Sequence, residues 1–297
     1  MSSFDIQRYL QERKIWIDCA LDRYLEQKRK LPRRLLEAMR YGVLSEGKRL
    51  RPILTLAAGE IFGAPRKSLL PFACAIEMIH AYSLIHDDLP ALDDDEFRRG
   101  ELANHKVYGE GMALLAGDAL LAEAFQLLAR AEVARVIEPR RILKLIHEIA
   151  HAAGVDGLAG GQALDLESEG RRVSVARLEA VHRHKTGALI VAAVRVGARI
   201  GGASADELRH LTRYGQALGL AFQIADDLLD AADLGTGKNG HAGSAKDKAT
   251  YPSLVGLAAA RSRARDLARQ CLRHIEPFGA AAEPLRGIAL YVVERKM

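Results

Sequence analysis

The chain has 297 residues, with 43 basic and 38 acidic side chains for a net charge of +5, 49% apolar and only 5% aromatic residues. That is the composition of a folded globular chain long enough to bury a sizeable core, which excludes a disordered or fibrous protein. A charge so mild, with no dense Lys/Arg block, gives no ground for nucleic-acid binding.

Cys19, Cys74 and Cys271 lie far apart and no CxxC occurs, so neither a disulfide scaffold nor a cysteine zinc site is expected. The leading segment MSSFDIQRYLQERK has no apolar h-region, and a cytoplasmic setting is expected. The apolar stretch 112–129 is broken by Asp118 and Glu123, short of the roughly eighteen uninterrupted residues of a membrane span. No membrane span is expected.

The pattern predicts an all-α chain of about ten helices and no convincing strand. Residues 4–30 carry Ile6, Leu10, Ile17, Leu21 and Leu25 at helical spacing. Pro32 suits the first turn of a second helix that runs to about Leu44 and stops near Gly47. A third starts after Pro52 and ends near Gly63. A fourth spans about 68–88, and Leu89 is turned out of helical geometry by Pro90. Residues 89–111 read as polar and irregular. Further helices fit 112–134, 138–153, 174–200 (broken near Gly187), 204–232, 252–275 and 280–296. No linker or internal repeat divides 1–297, so a single domain is expected. The longest loop, 231–251, holds four glycines and three lysines, and a loop of that length is usually functional.

The densest chemistry lies at HDDLPALDDDEFRRG, 86–100. The preceding helix is apolar almost all round, hence buried, and it delivers Asp87 and Asp88 at its C-terminal end, where the helix dipole disfavours carboxylates. Asp93, Asp94, Asp95 and Glu96 follow. Alone, such a run is most often a solvated acidic loop. On a buried helix the mutual repulsion instead calls for a multivalent cation, and oxygen-only ligands suit Mg²⁺ better than Zn²⁺. Pro90 lets the turn fold Asp93 back toward Asp87. Arg98 and Arg99 suit bidentate phosphate binding beside that metal.

A second cluster, FQIADDLLD at 222–230, sets Asp226 and Asp230 four apart on one helical face with Asp227 beside them. Its flanks are apolar, so these carboxylates also need compensation, which one metal–phosphate centre shared with the first cluster would supply. Lys48, Arg49 and Arg51 surround Gly47 in SEGKRLRP. His80 and Ser83 stand on the stripe of the fourth helix that ends at Asp87. Lys185 and Thr186 fall where a helix breaks, and Lys238, Lys246 and Lys248 stud the long loop, which could close over a diphosphate. A diphosphate head above apolar helices describes an isoprenoid diphosphate. Metal ions would stabilise the leaving group and a dry cavity would protect a carbocation.

GKRLRP (47–52), IHAYSLIHDDLPALDDDEFRRG (79–100), LAGDALL (115–121), GGQALDLE (160–167), HRHKTGAL (182–189), GLAFQIADDLLD (219–230) and KATYPSLVG (248–256) occur in order over nearly the whole chain. With them the chain resembles trans-isoprenyl diphosphate synthases of the bacterial farnesyl diphosphate type. The resemblance implies an all-helical domain around a central cavity, usually homodimeric, that condenses isopentenyl diphosphate with dimethylallyl or geranyl diphosphate.

It implies that Asp87, Asp88, Asp93, Asp226, Asp227 and Asp230 bind Mg²⁺, three ions with a bound diphosphate. Arg98 would contact the allylic diphosphate, and Lys48, Arg51, His80 and Arg99 the isopentenyl diphosphate. Lys185, Thr186 and Gln223 would line the reacting carbocation. Lys185 and Lys238 would reach the allylic diphosphate, and Lys248 belongs to the same substrate-binding set. Tyr82, five before Asp87, and its neighbour Ser83 would form the cavity floor that sets chain length. A ring about 7–8 Å below the aspartates resembles C15 producers more than geranylgeranyl or geranyl diphosphate synthases. Departures from the family pattern are Glu46 for the first glycine of GGKRLRP, a short loop after Asp230, and Asp247 before Lys248. Arg295 and Lys296 could reach the homoallylic diphosphate.

Three rivals stand further off. A class I terpene cyclase would not need the isopentenyl pocket. An HD-type phosphohydrolase would need more metal-binding histidines. A non-catalytic subunit would not need intact acidic clusters.

Overall fold

The computed structural model describes residues 4–26, 32–236 and 249–294. Lys238, Lys246, Lys248, Arg295 and Lys296 therefore lie outside the described residues. The fold is all-α. In chain order the helices are α1 (Ile6–Glu26), α2 (Arg33–Leu44), α3 (Leu50–Glu60), α4 (Arg66–Asp87), α5 (Asn104–Tyr108), α6 (Glu110–Leu128), α7 (Ala131–Ala134), α8 (Pro139–Ala153), α9 (Leu158–Leu166) and α10 (Val175–Val181). A π-helical turn follows at His182–Gly187, then α11 (Ala188–Gly201), α12 (Ala205–Thr236), α13 (Tyr251–Val255), α14 (Leu257–Ile275), a 3₁₀ segment (Glu276–Ala282) and α15 (Glu283–Glu294).

Two stretches depart from the sequence expectation. Residues 89–111 are more ordered than predicted. Strands β1 (Phe97–Arg98) and β2 (Glu101–Leu102) pair antiparallel, and α5 follows them. The turn between the strands is Arg99-Gly100, with φ of 56° and 84°. Positive φ at both central residues fits the hand of a two-residue hairpin. Helix α9 was not predicted because Gly160 and Gly161 lower its intrinsic propensity, and tertiary packing overrides that. The predicted break near Gly187 is real and takes the form of the π turn, a feature frequent at functional sites.

The chain forms two compact units. The first comprises 7–56 and 65–146. Its centre is α4, packed on α2 and α6 and buried on every side through Phe72, Cys74, Ile76, Met78 and Ile79. The second comprises 1–6, 57–64 and 147–297, with α12 packed on α11, α14 and α15. Its interior includes Tyr214, whose hydroxyl donates to the Leu285 carbonyl at 2.8 Å.

By length and composition alone, α4 and the stretch Glu110–Ala134 could each cross a membrane. The α4 window is 83% buried inside the protein, as a core helix is, whereas the second is 39% buried. The three cysteines are free, Cys74 and Cys271 buried and Cys19 exposed.

Candidate active site

In the first unit, α4 ends at Asp87, and Asp88 caps it with its N–H directed to the carbonyls of Leu84 and His86. The Asp93 N–H donates to the Asp87 carbonyl at 2.9 Å. That bond folds the chain back after Pro90 and returns Asp93 to the helix end. Asp88 is buried, at 2% exposure, and burial pushes its carboxyl up against the opposing pull of Arg98. The Arg98 Nε donates to Asp88 Oδ1 at 2.8 Å, and its Nη2 bonds both Asp88 and, at 2.9 Å, Asp95. The predicted diphosphate-binding arginine is thus a charge partner of the predicted metal aspartate Asp88.

Beside them stands the cationic set. Arg51, in the first turn of α3, has Nη1 3.1 Å from His80 Nε2 on α4. Burial, then the charges of Arg51 and Arg99, hold the His80 pKa well below its ordinary value. His80 is therefore neutral, with Nε2 accepting from the guanidinium. Lys48 is exposed in the link between α2 and α3. Gly47 lies where a Cβ would come within 2.5 Å of the Arg99 guanidinium, so any larger residue there would make that arginine tip shift. Ser83 donates to the His80 carbonyl at 2.9 Å. Tyr82 meets His86 edge to face, with ring centroids 5.7 Å apart.

In the second unit the π turn carries Lys185 and Thr186. Thr186 donates to Gln223 Oε1 on α12 at 2.9 Å, and Gln223 Nε2 donates to Asp227 Oδ1 at 3.3 Å. The Tyr251 N–H at the start of α13 donates to Asp227 Oδ2 at 2.7 Å. Asp227 is buried and its pKa is pushed up to about 6 by that burial. Asp226 and Asp230 sit on the same helix, Asp230 exposed. The structure therefore joins Thr186, Gln223 and Asp227 by hydrogen bonds, with Lys185 next to Thr186 on the same turn, and in the other unit Arg51 with His80 and Arg98 with Asp88.

Sequence reasoning missed several residues of these clusters. Asp165 on α9 takes Lys185 Nζ at 2.8 Å. Glu179 gathers Tyr251 Oη at 3.1 Å and Arg183 at 2.7 Å. Both amide atoms of Gln162 are buried without a partner. Gln162 and Asp165 sit in the GGQALDLE run, whose glycines were a signal of close packing.

The donor set fits Mg²⁺. Among the described residues no three His, Cys, Asp or Glu side chains close on one point to hold a cation alone. Mg²⁺ is held by one or two carboxylates completed by phosphate oxygens and water, not by an all-protein cage. The raised carboxyls of Asp88 and Asp227 mark places where positive charge would be welcome.

Fold and clusters define an all-α enzyme of anionic, phosphate-bearing substrates. The polyprenyl synthetase family profile matches residues 32–281, and the chain belongs to that family. It is 48% identical over 267 residues to a farnesyl diphosphate synthase of Escherichia coli, covering 88% of this chain and 89% of that one. It is 45% identical over 286 residues to the farnesyl diphosphate synthase of Geobacillus stearothermophilus, covering 95% and 96%. A geranylgeranyl diphosphate synthase of Cyanophora paradoxa is 42% identical over 99% of this chain and 98% of its own. The apo crystal structure of a FPP/GFPP synthase from Zymomonas mobilis superposes with a TM-score of 0.85 at 39% identity, covering 97% and 100%.

Proposed function

We propose that this protein is a short-chain trans-prenyltransferase that condenses isopentenyl diphosphate with dimethylallyl and then geranyl diphosphate, ending at farnesyl diphosphate. The single observation that carries this reading is the pair of acidic clusters, Asp87/Asp88/Asp93 and Asp226/Asp227/Asp230, in a chain 45–48% identical to two farnesyl diphosphate synthases.

The allylic C1–O bond breaks and its electron pair leaves with diphosphate. The C4 carbon of isopentenyl diphosphate bonds to C1, and the released diphosphate takes the C2 proton. Asp87, Asp88 and Asp93 in one unit and Asp226, Asp227 and Asp230 in the other would hold Mg²⁺, which would supply Lewis-acid stabilisation to the departing diphosphate. Arg98 in the first unit and Lys185 in the second are each read as cations for the allylic diphosphate; Lys238 and Lys248, read in the same role, lie outside the described residues. Lys48, Arg51, His80 and Arg99 seat the homoallylic diphosphate, with neutral His80 held by Arg51. Thr186 and Gln223 turn oxygen lone pairs toward the cation while bonded to one another. Tyr82 and Ser83 set the floor, which favours a C15 product over C20.

The protein is read as cytoplasmic, without a membrane span, and as a homodimer. The face of α6 carries Leu114 and Leu115 at 47% and 53% exposure. Apolar area of that kind is what a second copy buries.

Incubation with isopentenyl diphosphate, dimethylallyl diphosphate and Mg²⁺, followed by dephosphorylation, should yield farnesol. Geranylgeraniol would keep the reaction and overturn the C15 reading. No consumption of isopentenyl diphosphate, with the allylic substrate cyclised or untouched, would overturn the reaction itself.

A further inference from the structure

Of the cations in KRLR, Arg49 is the one that does not face solvent. Its side chain is 1% exposed. Each arm of its guanidinium is already used: Nε donates to Asp18 on α1 at 2.7 Å, Nη1 to Glu77 on α4 at 2.9 Å, and Nη2 to the Ser45 carbonyl at 2.9 Å. Three of its five N–H donors are taken by acceptors on three segments, and burial of the side chain keeps the guanidinium away from solvent and from a substrate oxygen. Only the planar guanidinium fork can meet all three at once.

The backbone points the same way. Arg49 has φ of 50°, a left-handed conformation that a non-glycine residue holds only where its surroundings impose it. Its carbonyl accepts the Ile53 N–H at 3.0 Å and so begins α3. Lys48 precedes it and Arg51 follows two residues later. Gly47 packs against both Arg99, at 2.5 Å from its would-be Cβ, and Arg49, at 3.1 Å. Glu77 lies three residues before His80, on the same side of α4.

We infer that Arg49, through its three-way clamp on Asp18, Glu77 and Ser45, is a positioning residue that holds Lys48, Arg51, His80 and Arg99 in register for the homoallylic diphosphate. It does so without touching that diphosphate. This rests on the reading of those four residues as the isopentenyl diphosphate pocket. The consequence is asymmetric: loosening the clamp displaces the homoallylic site and leaves the carboxylates read as the allylic site, Asp87 and Asp93 among them, as they were.

The test uses the full-length protein. Arg49→Lys keeps the charge and loses the fork. Asp18→Asn loosens the clamp at its partly exposed end, where folding is least at risk. KM for isopentenyl diphosphate, KM for geranyl diphosphate and kcat are measured for each, alongside thermal unfolding and calorimetric binding of isopentenyl diphosphate. Arg49→Lys should raise KM and Kd for isopentenyl diphosphate roughly tenfold to a hundredfold, the scale of a sub-ångström misplacement. KM for geranyl diphosphate should stay within about twofold. Asp18→Asn should show the same asymmetry at smaller size. Two folded variants whose KM values for the two substrates move in parallel, or not at all, would reduce Arg49 to a purely structural ion pair. If Arg49→Lys unfolds, the Asp18→Asn asymmetry decides alone. A wild-type protein that consumes no isopentenyl diphosphate would instead fail the functional reading, and calorimetry on wild-type protein separates that case.

Discussion

Gly161 of α9 lies against the backbone of Lys185: a Cβ on Gly161 would stand 2.0 Å from the Lys185 amide nitrogen. A second contact, from α12, repeats the device, since a Cβ on Gly219 would stand 2.8 Å from the Gly187 Cα. The π turn that carries Lys185 and Thr186 is therefore gripped by glycines on both neighbouring helices, and backbone cannot move aside as a side-chain tip can. Gly161→Ala should destabilise the protein by about 1–3 kcal/mol through overpacking, and kcat should fall as Lys185 shifts. Urea unfolding and steady-state kinetics read both. An unchanged midpoint would mean that the turn is looser than its packing indicates.

Thr186 and Gln223 share one hydrogen bond, and Gln223 passes a second on to Asp227. Thr186→Val keeps the shape and removes the donor. The bond contributes on the order of 1 kcal/mol, so a modest loss of stability is expected. A larger drop in kcat should accompany it, with KM for isopentenyl diphosphate held. Loss of stability with kcat intact would make the pair structural.

Asp226→Asn should cut kcat roughly tenfold to a hundredfold or more and raise the Mg²⁺ concentration needed for half-maximal rate, as loss of a metal-orienting carboxylate does. A Mg²⁺ titration that superposes on that of the wild type would remove Asp226 from the metal-binding set.

Tyr82 is half-buried on α4 beside His86. Tyr82→Ala removes its ring from the helix face one and a half turns below Asp87, and the product should lengthen beyond C15. Chromatography of the dephosphorylated products answers this, and an unchanged C15 product would dismiss Tyr82 as the floor.

His80 has its folded-state pKa lowered by burial first and then by Arg51, Arg99, Arg49 and Arg98. All four cations act in the same direction. The unfolded chain, with its histidine near 6.5, then binds a proton that the folded protein does not. Stability from this group is complete above about pH 6.5 and is lost as pH falls, by up to roughly 1.4 kcal/mol per pH unit. His182, lowered to about 4, and His274, also lowered by burial, add slopes of the same sign. The His80→Gln variant isolates the first: its stability between pH 6.5 and 5 should fall less steeply than that of the wild type. Equal slopes would mean that His80 charges freely in the folded state.

Leu115→Glu places a charge on the apolar α6 face. On the homodimer proposal, light scattering should find the wild type dimeric and the variant monomeric at micromolar protein. A dimer that survives the change would put the interface elsewhere.

Much of this protein is settled by sequence alone. Helical periodicity and the near absence of β-branched runs determine an all-α chain, and the two acidic clusters on apolar helices raise the expectation of cation-dependent chemistry, because local spacing and composition are written residue by residue. Pro90 after Asp87–Asp88 already implies the fold-back of Asp93, since a proline pushes the residue before it, here Leu89, out of helical geometry. Three further features required the tertiary structure. The β1–β2 hairpin rests on positive φ at Arg99 and Gly100, and α9 forms despite its glycines because its neighbours need close backbone approach. Arg49 reads in sequence as one more surface cation of KRLR. Only the folded arrangement, which brings Asp18 and Glu77 to its guanidinium from 31 and 28 residues away, turns it into a buried clamp. Burial and long-range pairing are properties of the whole packed chain, and no local window contains them.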